Sequence, residues 1–247
     1  MNIVLKREPD RTGALSALLV GTNRPEAKQI LEEIDRRTRS FSAQRTLLIE
    51  GDHSHGILLV LEGWLALSKS LADGQIQIID FALPGDFVNS CTADGETSLI
   101  TIEALTPGSL ATIPYGHWDQ MTQVLPKLRR MAHIMDMSEH SRRAERMLRL
   151  GKGTAEMRLA YALLELGIRL GSVGETENQT FHIPLTQQLL GEFIGLSSVH
   201  VCRTLRRMIR NGIVTMAGHM DIRIIDLDAL ADMASVDPSV LKREIVP

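Results

Sequence analysis

Four arginines lie within one short stretch of the chain that contains no acidic residue. They are Arg203, Arg206, Arg207 and Arg210, and no Asp or Glu occurs between residues 193 and 220. Guanidinium groups gathered in this way are suited to binding a polyanion, because each can pair with phosphate oxygens. A solvated helix face is the alternative, but such faces usually carry charges of both signs. The stretch therefore indicates a nucleic-acid contact on a chain whose net charge is −3.

The residues around these arginines predict two short helices joined by a turn. Thr186 can cap the first helix and Gly195 can make the turn after it. Ser197 can cap the second helix, which is expected to end at Arg210. This pattern is typical of a helix-turn-helix over 186–205, whose second helix enters the major groove of DNA.

The second predicted helix has one apolar stripe and one opposite stripe suited to DNA. Val201, Leu205 and Met208 recur at i, i+4 and i+7 and should be buried. The opposite stripe holds Ser198, Val199, Cys202, Arg203, Arg206 and Arg210. Thr186 and Gln187 open the first helix, where free N–H groups can hold a phosphate. The predicted DNA-binding set is completed by Ser197, His200 and Arg207.

The position of each side chain along the helix predicts its role. Arg203 is expected to reach a guanine, a bidentate contact worth roughly 1–3 kcal/mol of discrimination. Arg206, Arg207 and Arg210 lie further along and are expected to neutralise phosphates, which adds affinity and salt dependence without sequence information. His200 lies on the flank, where it is either a base or sugar contact or a solvated histidine.

Cys202 lies on the same stripe, beside Arg203 and Arg206 and near a helix N-terminus, a setting that favours the reactive thiolate. One hypothesis is that oxidation of Cys202 blocks the groove contact and switches DNA binding off. The alternative is a small thiol that only fills its position.

Short β-like segments separated by glycines precede this region. The candidate strands are 47–49, 57–61, 64–68, 75–81, 99–104 and 110–113. Asp73-Gly74 is a hairpin signal, and many short strands at regular spacing indicate a barrel or sandwich. A helix over 24–37 is expected before the strands, with Ile30 and Ile34 on its apolar side.

One long helix is predicted to begin at Pro126, which suits a first helical turn. Four residues then recur at spacings of three, four and three, as in a coiled coil. They are Leu128, Met131, Met135 and Ser138. Flanking charges such as Arg142 and Arg143 favour pairing with a second copy of the chain. Packing of this helix against its own β region is the alternative.

The segment Gly151-Lys152-Gly153 interrupts the helical pattern and predicts a hinge. An apolar helix over 155–170 then precedes the helix-turn-helix. Strands over 214–216 and 222–225 are expected to form a β-wing, followed by a last short helix.

Composition limits the class of protein. With 247 residues, 44% of them hydrophobic and 23% charged, the chain can bury a substantial core. No stretch approaches the ~20 uncharged apolar residues of a membrane helix, and the N-terminus lacks the apolar run of a signal peptide. Cys91 and Cys202 lie too far apart in sequence to suggest a metal or disulfide framework. A cytoplasmic protein without membrane contact is expected.

His53 and His55 form the one pair that suggests an enzyme, because an HxH pair at a strand end is similar to a cupin metal motif. A cupin also needs a Glu three or four residues further on, whereas Glu62 lies seven residues past His55. Asn89 stands where a fourth ligand would be sought. No Ser-His-Asp constellation, P-loop or GxGxxG occurs. We interpret the histidines as exposed turn residues and predict neither an enzyme nor a metal site.

Several stretches resemble parts of Crp/Fnr transcription regulators. PLTQQLLGEFIGLSSVHVCRTLRRMIRNGIV (184–214) is similar to their helix-turn-helix, closest to a branch whose recognition helix reads V-H-x-R. AEMRLAYALLEL (155–166) is similar to the helix before it. EGDHSHGILLVLEGWLAL (50–67), LADGQIQIIDFALPGDFV (71–88) and LTPGSLATIP (105–114) resemble successive parts of the family's β-roll. The resemblance covers about residues 40 to 240.

The resemblance implies an α+β fold with a cyclic-nucleotide-binding-type β-roll (a double-stranded jelly roll), a long dimerisation helix and a C-terminal winged helix-turn-helix. The expected regions are an N-terminal helical segment (1–40), the β-roll (41–118), the dimerisation helix with the hinge (119–150) and the DNA-binding domain (151–247). It also implies a homodimer on a palindromic operator, with half-sites one helical turn (about 34 Å) apart, and contact with RNA polymerase.

The chain departs from the family at the residues that bind ligands and read bases. Cyclic-AMP members hold the phosphate with an Arg-Ser pair after the PGDF-like turn, but no Arg or Lys occurs here between Lys69 and Lys127. A phosphate buried without a cation is costly. Many members carry a Glu three or four residues before the reading Arg, where this chain has Val199 and His200, so its operator need not be the familiar one.

Other cofactors of the family are equally poorly supported. A [4Fe–4S] centre needs four thiolates, and the chain has two cysteines. Haem ligation by Cys91, His53, His55 or His117 is disfavoured, because scattered histidines are mostly surface or core residues. We therefore predict no cofactor and no cyclic-AMP binding. Either an unknown small-molecule effector acts on the β-roll, or the regulator is controlled by its own abundance.

Overall fold

The computed structural model of the protein describes residues 24–174, 176, 180–218 and 220–246. The first 23 residues of the predicted N-terminal segment (1–40) lie outside the described residues. Helix α1 (Arg24–Arg36) is the first described element, and it buries Ile30 and Ile34 as its apolar spacing predicts.

Eight strands form two four-stranded antiparallel sheets, which together are called the β domain below. The strands are β1 (Thr38–Phe41), β2 (Thr46–Leu48), β3 (Ile57–Glu62), β4 (Leu65–Ser70), β5 (Ile76–Ala82), β6 (Phe87–Val88), β7 (Thr101–Ala104) and β8 (Gly108–Ile113). The sheet orders are β1-β8-β3-β6 and β2-β7-β4-β5. Leu58 and Val60 of one sheet share a core with Leu65 and Ile102 of the other. The two packed sheets confirm the predicted β-roll class of fold.

Glycines in the turns position these strands as expected. Strands β1 and β6 were not predicted from the sequence. Gly74 has a φ of +86° and makes the β4–β5 hairpin turn, a conformation open to glycine. At Gly108 a Cβ would lie 2.1 Å from the carbonyl oxygen of Glu62, so no larger residue fits between β3 and β8. Strands β1 and β6 have four and two residues, too short to show an alternating apolar pattern.

Two helices follow the β domain instead of the single predicted one. They are α2 (Tyr115–Val124), which the sequence reasoning missed, and α3 (Pro126–Lys152). The break falls at Leu125, with φ −118° and ψ 87°, because a residue before proline is forced out of the helical region.

The stripe predicted to pair with a second copy faces inward instead. Leu128 is 8% exposed and packs in a cluster with Ile30 and Leu59, and Ser138 is 4% exposed. Met131 and Met135 are half-buried. Leu128 and Ser138 therefore pack within the chain, and the four predicted side chains are called the inner stripe below. The heptad spacing was real, but spacing does not show which neighbour a helix packs against.

The remaining elements, called the C-terminal unit below, begin after a break at Gly153 and Thr154, whereas Gly151 and Lys152 of the predicted hinge still belong to α3. They are α4 (Ala155–Ser172), β9 (Thr180–His182), α5 (Gln187–Ile194), α6 (Ser198–Arg210), β10 (Val214–Ala217), β11 (Asp221–Ile224), α7 (Leu227–Ala234) and α8 (Pro238–Ile245). The predicted wing gains a third strand, in the order β10-β11-β9. Two short helices end the unit where one was predicted; Asp226 caps α7 and Asp237 caps α8.

The β domain and the C-terminal unit share one hydrophobic core across this break. Trp64, Ile78 and Phe81 of the β domain lie in the same buried cluster as the apolar residues of α4 to α8. The ring centroids of Phe81 and Phe193 are 4.7 Å apart. Gln77 donates to the carbonyl oxygen of Phe193 over 3.1 Å. The C-terminal unit is thus packed directly against β5.

Candidate nucleic-acid interface

Two hydroxyl caps and one left-handed glycine set the geometry of α5 and α6. The Thr186 hydroxyl accepts a hydrogen bond from the Leu189 amide over 3.1 Å, and the Ser197 hydroxyl accepts from the His200 amide over 3.3 Å. Gly195 lies between the helices with a φ of 67°, in the left-handed region. These are the roles that the sequence predicts. The turn therefore follows from local chemistry.

Helix α6 is divided sharply between a buried and an exposed face. Val201, Leu205 and Met208 are each 1% exposed or less. Thr204 is also buried, between the predicted apolar positions. Burial of this side anchors α6 to the rest of the C-terminal unit, so the opposite side faces solvent.

The exposed side of α6 lines a groove with a cavity volume of about 720 Å³. Its lining comprises Gln187, Ser198, Val199, Cys202, Arg203, Arg206, Ile209 and Arg210. All but Ile209 belong to the set predicted from the sequence to bind DNA. Ile209 was missed because it is half-buried and apolar, which by spacing alone indicates core. The groove brings the predicted base-reading and phosphate-binding side chains onto one surface.

The arginines of α6 differ in whether they pair with an acidic side chain. Arg203, Arg206 and Arg210 are exposed, and none of them has an acidic partner among the described residues. Arg207 instead forms an ion pair with Glu156 of α4, although both side chains remain partly exposed. Three guanidiniums are therefore available to an anion, and the fourth is shared with a carboxylate.

One apolar side chain of the groove is largely exposed. Val199 is 63% exposed, one turn before Arg203. A valine has no hydrogen-bonding group, but its methyl groups suit contact with the methyl group of thymine in the major groove. His200 is exposed beside it, outside the groove lining, and Cys202 is half-buried.

Comparisons with known proteins agree with this division of the chain. Residues 38–124 match the cyclic nucleotide-binding domain family, and residues 157–233 match the Crp-like helix-turn-helix domain family. The transcriptional activator protein FnrA of Stutzerimonas stutzeri is 31% identical over 204 residues, which is 83% of each chain. The nitrogen fixation regulation protein FixK of Bradyrhizobium diazoefficiens is also 31% identical, over 81% of this chain and 84% of its own.

The chain belongs to the Crp/Fnr family of transcription regulators. Its fold matches the solved structure of FixK2 from Bradyrhizobium japonicum with a TM-score of 0.72 at 24% identity, over 81% of this chain and 98% of that one. The protein is a DNA-binding transcription regulator, and its relatives are regulators rather than enzymes.

One cavity between the β domain and α3 of this Crp/Fnr protein is very small. The cavity there has a volume of about 20 Å³ and is lined by residues that include Asp80, Asp86, Glu139 and Arg142. Such a volume holds about one water molecule, whereas small-molecule sites measure about 300–1,000 Å³. A nucleotide would have to displace the side chains that line it.

The histidines considered for a metal site are exposed, as predicted, but His53 forms an isolated β-bridge with Thr97 and does not lie in a turn. His53 bonds to the carbonyl oxygen of Glu96 through Nδ1 over 3.1 Å, and His55 lies two residues on. Among the described residues, no three His, Cys, Asp or Glu side chains come together as metal ligands. None of the helices in the described ranges has the apolar length to cross a bilayer.

Proposed function

We propose that this Crp/Fnr regulator acts as a homodimer that binds a palindromic operator through α6. The observation that carries the proposal is the groove on α6, where seven residues predicted to bind DNA converge and three arginines have no described acidic partner. A basic helix face beside a polar turn is the form in which a helix-turn-helix presents itself to the major groove.

A second stripe of α3 supplies a surface for the other subunit. It runs at spacings of three, four, three and four and is called the outer stripe: Ile134, Met137, Ser141, Ala144 and Leu148. Ile134, Met137 and Leu148 are 37%, 51% and 56% exposed in the isolated chain. Exposed apolar side chains at heptad spacing favour pairing of two α3 helices, because pairing would bury them.

The groove supports a division of labour along α6. Arg203 lies nearest the helix N-terminus among the free arginines and is assigned to a guanine, with Val199 beside a neighbouring thymine. Arg206 and Arg210 are assigned to phosphates. Arg207 is the weakest candidate of the four, since it would have to leave Glu156 to reach the backbone of DNA.

The names of the relatives support a sign of regulation and one protein partner. FnrA is named a transcriptional activator, which supports activation by this protein too and hence a contact with RNA polymerase. Binding to chromosomal DNA, as proposed here, supports a cytoplasmic location. The absence of a cofactor and of cyclic-AMP binding stays a prediction.

Two variants separate the two kinds of contact. Arg203→Ala tests the proposed base contact, and Arg206→Ala tests a proposed phosphate contact. The operator is first selected from random DNA with the wild-type protein, and affinity is then measured by fluorescence anisotropy across a salt series. Arg203→Ala should lose about 1–3 kcal/mol of affinity and relax the preference at one base pair per half-site. Arg206→Ala should weaken all sequences alike and reduce the salt slope by about 1 per subunit.

Arg39→Ala serves as the matched control, because Arg39 is an exposed arginine of β1, far along the chain from the groove. It should leave both affinity and base preference unchanged. Selection of no sequence by the wild type, or an unchanged base preference in Arg203→Ala, would contradict the proposed function.

A further inference from the structure

A cluster of buried charges lies where the β domain, α3 and the C-terminal unit meet. Asp80 of β5 is 1% exposed, and its Oδ2 lies 3.2 Å from Arg142 Nη2 and 3.0 Å from Arg146 Nη2, both on α3. Its Oδ1 lies 3.2 Å from Arg169 Nη1 on α4. With Glu165, which is fully buried on α4, these residues form what is called the Asp80 cluster below.

Each guanidinium of the cluster spans two elements. Arg169 also donates to the carbonyl oxygen of Phe81 over 2.8 Å and to Asp86 Oδ2 over 2.7 Å, so it ties α4 to two points of the β domain. Arg146 reaches Asp80 on one side and, through Nε, Glu165 Oε2 at 3.2 Å on the other. One carboxylate of β5 is thus shared between α3 and α4.

The inward arginines of α3 also hold the far end of the C-terminal unit. Arg142 Nη1 donates to the carbonyl oxygen of Ile245 in α8 over 3.4 Å. Arg149 Nε donates to the carbonyl oxygen of Ala234 in α7 over 3.2 Å. Cations at helix C-termini interact favourably with the unpaired carbonyl groups there. Arg142 and Arg149 of α3 thus contact the C-terminal ends of α8 and α7.

The cluster remains ionised at its centre. Burial alone would raise the pKa of Asp80, but the three guanidiniums hold that pKa well below its usual range. Burial raises the pKa of Glu165. Buried ion pairs add little stability compared with apolar side chains of the same volume, and fixing one arrangement over others is their best-attested use. The cluster is therefore better explained by orientation than by stability.

Two members of the cluster also line a small cavity. Asp80 and Arg142 line the cavity of about 20 Å³ between β5 and α3. The contacts of the Asp80 cluster are thus made by side chains of the chain itself and need no small molecule to bridge them.

We propose that Asp80 is a positioning residue that sets the C-terminal unit against α3, and thereby the spacing of two α6 helices on DNA, without a bound effector. The inference rests on the proposed function. In the dimer, each α6 is carried by a unit whose orientation the Asp80 cluster fixes. Loss of the cluster should leave each α6 able to bind a half-site while removing the preference for one half-site separation.

The test compares Asp80→Asn with the wild-type protein, both dialysed free of small molecules. Three DNAs are used: the selected palindrome, the same palindrome with two base pairs inserted between half-sites, and a single half-site. The wild type should prefer the native spacing by about tenfold or more, and Asp80→Asn should retain less than about threefold preference with unchanged half-site affinity. Glu103→Gln, at an exposed carboxylate of β7, should behave as the wild type does.

Arg169→Lys is the second variant, and melting temperatures are recorded for all proteins. It keeps the positive charge but lacks the fork that reaches Asp80 and Asp86 together, so it should show the same loss of spacing preference. Equal losses on the half-site and the palindrome would indicate general destabilisation and overturn the positioning role, as would a spacing preference retained by both variants.

Two outcomes concern the wild type itself. A spacing preference that arises only after cyclic AMP is added would overturn the claim that no effector is needed. A wild type that prefers no palindrome over scrambled DNA would overturn the proposed function, and the inference with it. The two failures are therefore distinguishable.

Discussion

Arg203 and Arg207 lie four positions apart on α6, yet their surroundings differ. Arg203 lies exposed in the groove, whereas Arg207 pairs with Glu156, 51 positions away in sequence. The sequence predicts that both are basic residues on or beside one helix face, which the structure shows. It could not indicate the ion pair, because no local pattern links α6 to the start of α4.

Cys202 provides a test of redox control at the residue scale. It is a free, half-buried thiol in the groove, next to Arg203. If oxidation to the sulfenic acid or beyond adds a polar or charged group at the DNA surface, peroxide should lower operator affinity about tenfold or more in the wild type and leave Cys202→Ser unchanged. Affinity is measured by anisotropy before and after peroxide and again after reduction.

Cys91→Ser is the control for that experiment, because Cys91 lies in the β domain. It should remain as sensitive to peroxide as the wild type. Equal sensitivity of Cys202→Ser and wild type would leave Cys202 as a side chain that merely fills its position.

At the scale of elements, α3 shows that a heptad spacing can be predicted correctly while the surface it packs against is not. The inner stripe continues into Arg142, Arg146 and Arg149, at the same spacings of four and three. That continuation was the signal that could have identified the inward face, since one face of a helix keeps one set of neighbours. Arg142 therefore belongs to the inward face of α3 and is not a charge flanking a subunit interface.

The two stripes of α3 make opposite predictions. Met137→Glu should shift the protein from dimer to monomer with the β domain still folded, because a charge would then enter the subunit interface. Leu128→Ala should keep the dimer but reduce the free energy of unfolding by about 2–5 kcal/mol, because it leaves a cavity against the β domain. Sedimentation equilibrium gives the oligomeric state, and urea titration gives the stability.

Arg129→Glu adds an acidic residue on an exposed part of α3 outside both stripes and should change neither measurement. A dimer that persists in Met137→Glu, or a monomer produced by Leu128→Ala, would show that the stripes have been assigned to the wrong partners.

For the whole molecule, the decisive feature is that the β domain and the C-terminal unit are not independent. Phe81 of β5 contacts Phe193 of α5. The Cζ atom of Arg146 on α3 lies 4.8 Å from the centroid of the Phe193 ring. The sequence places a hinge between α3 and α4, and a break is found there. Yet the two parts share a core, which also includes Val201 and Leu205 of α6.

This packing predicts cooperative unfolding. The wild type should show a single calorimetric transition, since separating the two parts would expose the ring contacts and the buried charges. Phe193→Ala should cost about 3–5 kcal/mol and split the transition in two, because it removes the aromatic link between the parts. Phe41→Ala removes a ring buried inside the β domain and should lower stability while the transition stays single. Two transitions in the wild type would refute the shared core.

The sequence by itself determined what depends on residues close together in the chain. The caps at Thr186 and Ser197, the turn at Gly195 and the two faces of α6 need only contacts within one or two helical turns, so spacing and side-chain chemistry suffice. Together with the resemblance to the family, they determined the fold class and most of the candidate site.

Only the tertiary structure decided how these elements meet. Asp80 binds Arg142 and Arg169 across 62 and 89 positions, separations at which no periodicity carries information. Whether a charge is buried, and beside which other charge, depends on how distant elements pack. The physical reason is that a local pattern shows which face of a helix is buried. The neighbour that covers this face is decided by long-range packing, and so is the orientation in which α6 is presented to DNA.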